Sequence, residues 1–229
     1  VTDTDGYFRI DEVSIGARTL TITKEGYITC KILGIVIKEN ETTLIDNGNP
    51  IIVSAKDDKF LFDSGIIYYD IEDYSNAITT FQQLLTDFPD SLYADDAQYY
   101  IGYINENKLG YYINALLEYQ ELINNYPDSL YADDAQLGIG NCYYVTYDYS
   151  HALEAYQKVI DDYPESSLFA LSQYSIAQSY RKLANYEQAI LEFTKVIGNY
   201  PESNYAAPAQ YYIGYSHYQA QDYSQAIFE

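Results

Sequence analysis

Four versions of one phrase recur down the chain: FPDSLYADDA from Phe88, YPDSLYADDA from Tyr126, YPESSLFALS from Tyr163 and YPESNYAAPA from Tyr200. Their prolines, Pro89, Pro127, Pro164 and Pro201, lie 38, 37 and 37 residues apart. Ala77, Ala115, Ala152, Ala189 and Ala226 keep the same interval, and so do Gly65, Gly102, Gly140, Ala177 and Gly214. A period of this length constrains the chain more than any other feature. It calls for a stack of like units that share one continuous core. Proline lacks an N–H and restrains the residue before it, so each Asn/Asp–Tyr/Phe–Pro triplet marks the end of a helix.

Within a unit the pattern is that of two helices, A and B. In helix B, Ala77, Ile78, Phe81 and Leu84-Leu85 fall at three- and four-residue steps. Leu116, Tyr119 and Leu122-Ile123 repeat the stripe, as do Leu153, Tyr156 and Val159-Ile160. This is the 3.6-residue period of an amphipathic helix. The small residue on helix A and the alanine on helix B are expected where the two backbones approach, because a larger side chain there would push them apart. Ser91, Ser129, Ser166 and Ser203 are expected to cap the next helix A. Asp95-Asp96 and Asp133-Asp134 suit the positive end of a helix dipole. Four complete pairs are expected over residues 57–200, followed by helix A of a fifth and a helix B that starts at Asp222. No polar capping unit of the kind that closes a solenoid follows, so either further chain or a neighbouring copy is expected to stack there.

The glycine or alanine pair with its later proline resembles the tetratricopeptide repeat. The unit runs 37 residues rather than about 34, which resembles the longer variant of bacterial envelope proteins. Those include the lipoprotein subunit of the outer-membrane β-barrel assembly machine and the periplasmic coordinator of the Tol-Pal system. The phrase YPDSLYADDAQLGIG and its counterpart FPDSLYADDAQYYIGY carry that resemblance. It implies a mostly α fold, a right-handed superhelix of antiparallel helix pairs over residues 57–229. It also implies that helix A residues face the concave side, where a partner protein or peptide docks. The aligned helix A positions are Tyr99, Leu137, Tyr174 and Tyr211 in one row and Tyr103, Asn141, Gln178 and Tyr215 in another. Gln98, Gln136, Gln173 and Gln210 repeat without change, as do Ile101, Ile139, Ile176 and Ile213. The isoleucines read as core. The glutamines read either as peptide-backbone ligands or as stitches between helices, and each single tyrosine reads more readily as packing than as ligand contact. Thirty tyrosines together exceed what a core needs and point to an interface.

Residues 1–50 follow a different rule. Asp5-Gly6 is a turn pair ahead of Tyr7, Phe8 and Ile10, and Thr19–Thr23 alternates with the period of a half-buried strand. The run TDTDGYFRIDEVSIGARTLTITKEGYIT resembles the second half of a carboxypeptidase regulatory-like domain, a small β-sandwich. That resemblance covers residues 1–46, lacks the leading strands, and implies either that they precede Val1 or that another subunit supplies them. Residues 51–56 read as linker. Asp3-x-Asp5-Gly6 has spacing that a calcium loop uses, but no twelfth-position Glu completes it, and a capped β-turn is the simpler reading. Asn40-Glu41-Thr42 is a glycosylation sequon.

Charge narrows the partners. The chain carries 34 acidic and 12 basic residues, a formal charge of −22. No basic patch exists for a phosphate backbone, so nucleic acid is discounted. No run approaches the roughly 20 apolar residues of a membrane span. Cys30 and Cys142 form no CxxC pair, and with only His151 and His217 beside them they do not make a structural zinc site. They read as buried thiols, with a disulfide open to them in an oxidising compartment. No nucleophile, base or phosphate loop stands at motif spacing, and no cofactor is expected. The expected function is a non-enzymatic binding scaffold of an exported protein, periplasmic, cell-surface or extracellular. The alternative is the subunit of an extracellular fibre, joined head to tail to copies of itself at its two ends.

Overall fold

The computed structural model describes residues 35–38, 41–46, 49–53 and 58–228. The chain divides into two compact units, Val1–Phe60 and Leu61–Glu229. Asp3, Asp5, Cys30 and Asn40 lie outside the described residues, as does most of the stretch expected to form a sandwich. In the first unit, β1 (Ile35–Lys38), β2 (Glu41–Asp46) and β3 (Asn49–Val53) form an antiparallel sheet in the order β1-β2-β3. Ile35 pairs with Leu44 and Lys38 with Glu41; Thr42 pairs with Val53 and Asp46 with Asn49. β3 runs three residues into the stretch read as linker. Ile51-Ile52-Val53 is a β-branched run, and such residues favour extended backbone.

The second unit is built of α1 (Asp58–Asp70), α2 (Tyr74–Asp87), α3 (Ala94–Ile104), α4 (Tyr112–Asn125), α5 (Ala132–Val145), α6 (Tyr149–Asp162), α7 (Phe169–Lys182), α8 (Tyr186–Asn199), α9 (Ala206–Gln219) and α10 (Tyr223–Phe228). Odd-numbered helices are the A helices and even-numbered ones the B helices. From α2 onward each helix packs chiefly on its neighbours in sequence. The B helices α2, α4, α6 and α8 end at Asp87, Asn125, Asp162 and Asn199, each two residues before its proline, as the triplets require.

The serines do not cap the A helices. Ser91 Oγ accepts from the Tyr93 N–H at 3.0 Å, Ser129 from Tyr131 at 3.2 Å and Ser166 from Leu168 at 3.0 Å. The N-cap residues are Tyr93, Tyr131, Leu168 and Tyr205, none with a side-chain capping bond. The proline-led turn explains the offset. Ser91 N–H closes it on the Phe88 carbonyl at 3.0 Å, and Ala94 N–H closes the next step on the Ser91 carbonyl at 3.1 Å. Ser91, Ser129 and Ser166 therefore hold a turn just ahead of the helix, while Ser203 Oγ is buried without a partner among the described residues and only its backbone repeats the turn.

The A-to-B turns share a form that no glycine signals. Glu72, Tyr147, Ala184 and Gln221 all take the left-handed conformation, with φ of 62°, 67°, 58° and 63°. Around Glu72 the crossed bonds are Glu72 N–H to Tyr69 carbonyl at 3.0 Å and Asp73 N–H to Tyr68 carbonyl at 2.8 Å, a Schellman motif. The next residue then caps helix B: Asp73, Asp148, Asn185 and Asp222 accept from the N–H groups of Asn76, His151, Gln188 and Gln225, at 3.3 Å each. Only the second pair departs. Gly102 and Ala115 are one residue further apart than their counterparts, and that residue is taken up as a π-helical turn, Asn105–Leu109. The turn ends at Gly110, φ 68°, and Tyr111 caps α4 without a side-chain bond.

The small residues make room for rings of helix B. Gly65 lies against the ring of Phe81, Gly102 against Tyr119 and Gly140 against Tyr156. A Cβ at Gly102 would stand 2.7 Å from Tyr119 Cδ1. Each ring sits one turn beyond the alanine on helix B and is fully buried. It then meets helix A of the following pair. Phe81 stacks on Tyr100 with centroids 5.4 Å apart, and Phe193 on Tyr212 at 5.6 Å. Tyr119 instead meets Gly138, and Tyr156 hydrogen-bonds Ser175.

Candidate partner-binding face

The A helices present five rows of side chains, and the structure divides them by what they touch. Ile101, Ile139, Ile176 and Ile213 are buried, as their periodicity requires. The adjacent glutamines are buried too and face helix B of their own pair. Gln98 donates to the Glu118 carbonyl at 3.1 Å and to its carboxylate at 2.7 Å, Gln136 donates to the Ala155 carbonyl at 3.0 Å, and Gln173 to the Glu192 carboxylate. Gln210 is half-buried and also engaged. The stitching alternative thus describes the first three amides.

The next row closes the seams between pairs. Phe62 stacks on Tyr93 at 5.1 Å, Tyr99 on Tyr131 at 4.3 Å, and Tyr174 packs on Tyr205 at 5.4 Å. Leu137 and Leu168 hold the matching positions in the third pair and belong to one apolar cluster. The helix A residue and the N-cap residue of the next pair therefore change together, aromatic with aromatic and leucine with leucine. Tyr211, in the same row, is 65% exposed. Tyr99 and Tyr174 serve packing first.

Two rows remain open. Tyr103, Asn141, Gln178 and Tyr215 are half-buried or exposed, apart from Gln178, whose amide is almost covered. One turn away lie Tyr69, Glu106, Tyr144, Arg181 and Tyr218, a row that the sequence reading did not single out. Its signal was present: each stands four residues after a small residue. Core hydroxyls emerge beside these rows. Tyr119 donates to Glu106 Oε2 at 2.7 Å and Tyr156 to Asn141 Oδ1 at 3.0 Å. Arg181 Nε donates to Gln178 Oε1 at 2.8 Å, and the Gln178 amide donates to the Tyr174 hydroxyl at 2.8 Å. The guanidinium lies 4.8 Å over the Tyr212 ring and 5.7 Å over Tyr215, a cation–π arrangement that holds it in place.

Electrostatics separates the two ends of this face. Burial raises the Tyr99 hydroxyl above the usual tyrosine range, and the carboxylates of Asp134 and Glu106 push it the same way. Burial also raises Tyr144 and Tyr174, where Arg181 acts in the opposite sense. The Cys142 thiol is buried and pushed up to about 12, first by burial and then by Glu106, which makes it a poor nucleophile. Among the described residues no group of three His, Cys, Asp or Glu is placed to hold a metal ion, and no helix is long and apolar enough to cross a membrane.

A stack of helical hairpins with an open face of tyrosines and sparse charges defines a solenoid that binds other proteins. The tetratricopeptide repeat model matches residues 60–91, 96–129, 134–166 and 171–203, more than half of the chain, and the chain belongs to that family. It is a protein-interaction scaffold of the tetratricopeptide-repeat type. Among solved structures it is similar to MamA from Desulfovibrio magneticus, residues 41 to the end, at 17% identity and TM-score 0.60, covering 74% of this chain and 89% of that one. It is similar to the apo form of RapI at 14% identity and TM-score 0.65, covering 75% of this chain and 51% of that one. A tetratricopeptide repeat protein from Parabacteroides merdae matches at 16% identity and TM-score 0.62, covering 74% and 62%. The chain thus spans about half the length of RapI, and at these identities the likeness is one of fold. No curated protein sequence matches the chain.

Proposed function

We propose that the open rows of the A helices receive an extended segment of a partner protein, and that this is the chain's main task. The observation that carries the reading is the contrast between rows. The glutamines and the seam tyrosines are committed inside the stack, whereas Tyr103, Glu106, Arg181 and Tyr215 carry aromatic and charged groups at its surface. The proposed setting is the cell envelope or exterior of a bacterium, by the resemblance of the repeat, with residues 1–50 acting as a carboxypeptidase regulatory-like spacer or anchor. Photo-crosslinking residues placed at 103 and 215, with controls at Gln83 and Ile113 on helix B, test the binding face. Partner adducts at the first two sites alone are expected. Adducts only at the controls would move the interface to the B helices and sink the reading.

A second reading, a head-to-tail fibre, is favoured by one observation. Tyr211, Tyr215 and Tyr218 of α9 are exposed at 65%, 36% and 56%, with the chemistry that closes the interior seams. Filaments by electron microscopy at micromolar concentration would support it, and a monodisperse monomer by light scattering would discard it.

A further inference from the structure

We infer that the open face reads the order of charges on its partner: a basic residue of the docking segment sits at Glu106 and an acidic one at Arg181, with Tyr144 between them. The inference rests on the reading of the A helices as the binding face and adds the partner's chemistry to it. Glu106, Tyr144 and Arg181 stand in one row on successive A-type segments, four residues after Gly102, Gly140 and Ala177. The π-helical turn belongs to the one pair that carries the acid.

Neither charge is neutralised within the described residues. Glu106 is half-buried, and its Oε2 takes the Tyr119 hydroxyl while no donor reaches Oε1. Lys108, two residues on, leans instead over the rings of Tyr69 and Tyr103, at 5.6 and 5.9 Å. Arg181 is half-buried against the Gln178 amide oxygen and the rings of Tyr212 and Tyr215, with no carboxylate in an ion pair with it among the described residues, in a chain with 34 carboxylates. A partly desolvated charge without a counter-ion is costly, and a partner that supplies the opposite charge gains from both. Asp134 deepens the negative end, since it and Glu106 both act on Tyr99. Neighbouring packed helices stand about 8–10 Å apart, which puts the two charges on the order of 20 Å apart over two pairs. An extended chain covers that in about six residues at 3.3 Å each. The occupant is therefore an extended segment with Lys or Arg near one end and Asp or Glu about six residues away.

The test is a displayed library of random 12-residue peptides, panned against the whole chain at physiological salt. Selected peptides are expected to carry the two charges five to seven positions apart in one order. The double variant Glu106→Arg/Arg181→Glu is expected to select the reverse order. A synthesised winner should weaken about tenfold with Glu106→Gln and again with Arg181→Gln. It should be unmoved by Glu121→Gln or Lys158→Gln on the B helices, all variants keeping their helical circular dichroism. Winners that Tyr103→Ser and Tyr215→Ser leave unchanged would overturn the binding face itself, and so would a library that yields none. Winners that need those tyrosines but show no charge order, or keep it in the double variant, would overturn this inference alone. Purely basic winners indifferent to Arg181→Gln would do the same, and would assign binding to the acidity of the chain as a whole.

Discussion

The two outer seams of the helical array and its two inner seams reach the same burial by opposite means. At the outer ones a phenylalanine of helix B stacks on a tyrosine of the next helix A, Phe81 on Tyr100 and Phe193 on Tyr212. At the inner ones helix B brings the tyrosine, and the next helix A shrinks to Gly138 or Ser175. One seam position gives up volume where the other gains it, as close packing demands. The difference lies in the hydroxyl. Tyr119 and Tyr156 run through the inner seams and come out at Glu106 and Asn141, tying the core to the open face. The outer phenylalanines have no such handle. A repeat can thus anchor a surface residue from inside without altering its backbone.

Gly138→Tyr would break the comparison most severely. It puts an outer-seam residue against an inner-seam tyrosine that already touches Gly102 and Gly138 on two sides. The expected loss is about 3 kcal/mol. Because a repeat array is coupled through its seams, urea unfolding should split into two transitions. Adding Tyr119→Phe rebuilds the outer combination and should recover more than half of the loss. A double variant as unstable as the single one would show that the pairing is coincidence. Smaller effects sharpen the point. Phe193→Tyr buries a hydroxyl at a fully covered site and should cost about 2 kcal/mol. Tyr119→Phe removes one that is satisfied by the half-exposed Glu106, for about 1 kcal/mol. Equal costs in thermal denaturation would mean that the hydroxyl route does not distinguish the seams.

The helices were legible because proline spacing and a 3.6-residue stripe are local signals. The proline triplets placed the ends of the B helices, and the start of α10 was expected at Asp222, one residue before Tyr223. The left-handed turns were not legible, since Glu72, Tyr147, Ala184 and Gln221 carry no residue-type mark; only the crossed hydrogen bonds reveal them. The serine turns misled because a serine ahead of a helix serves either a cap or a turn, and proline geometry decides between them. Along the A helices the glutamine row was found as a repeat, but repetition alone does not separate a stitch from a ligand. The Glu106–Arg181 row was missed for the converse reason. It diverges between units, as the Tyr103 row does, and each of its charges appears once, so no repetition marks them; such divergence is where a shared core leaves room for recognition. The one-residue insertion was visible as a 38-residue interval, yet its outcome as a π turn depends on how Asn105 is held, by a bond to the Ile101 carbonyl at 2.9 Å.

The subtlest contrast between seams is electrostatic. Asp96 and Asp134 are equivalent first-turn residues, and burial raises both above the ordinary aspartate range. Asp95 and Asp133 raise their neighbours alike, but the Tyr131 hydroxyl bonds Asp96 and draws it back down, whereas Leu168 in the matching place offers Asp134 nothing. Glu118 is also raised by burial, against the Gln98 amide. A carboxyl whose folded value exceeds its unfolded one holds more protons in the folded chain between the two values, so stability falls as pH rises through that window. The gain is complete below the unfolded value near ~4. Asp148 and Asp222, held low by hydrogen bonds from His151 and Ser224, run the other way at lower pH. The melting temperature should therefore be higher at pH 5 than at pH 7. Asp134→Asn should flatten that slope, and Asp96→Asn should flatten it less, because Asp96 already has its hydroxyl. Self-repulsion of the −22 chain has the same sign, so the slope of the unsubstituted chain alone decides little. The difference between the two asparagine variants carries the argument, and equal flattening would mean that the tyrosine seam gives Asp96 no protection that the leucine seam denies Asp134.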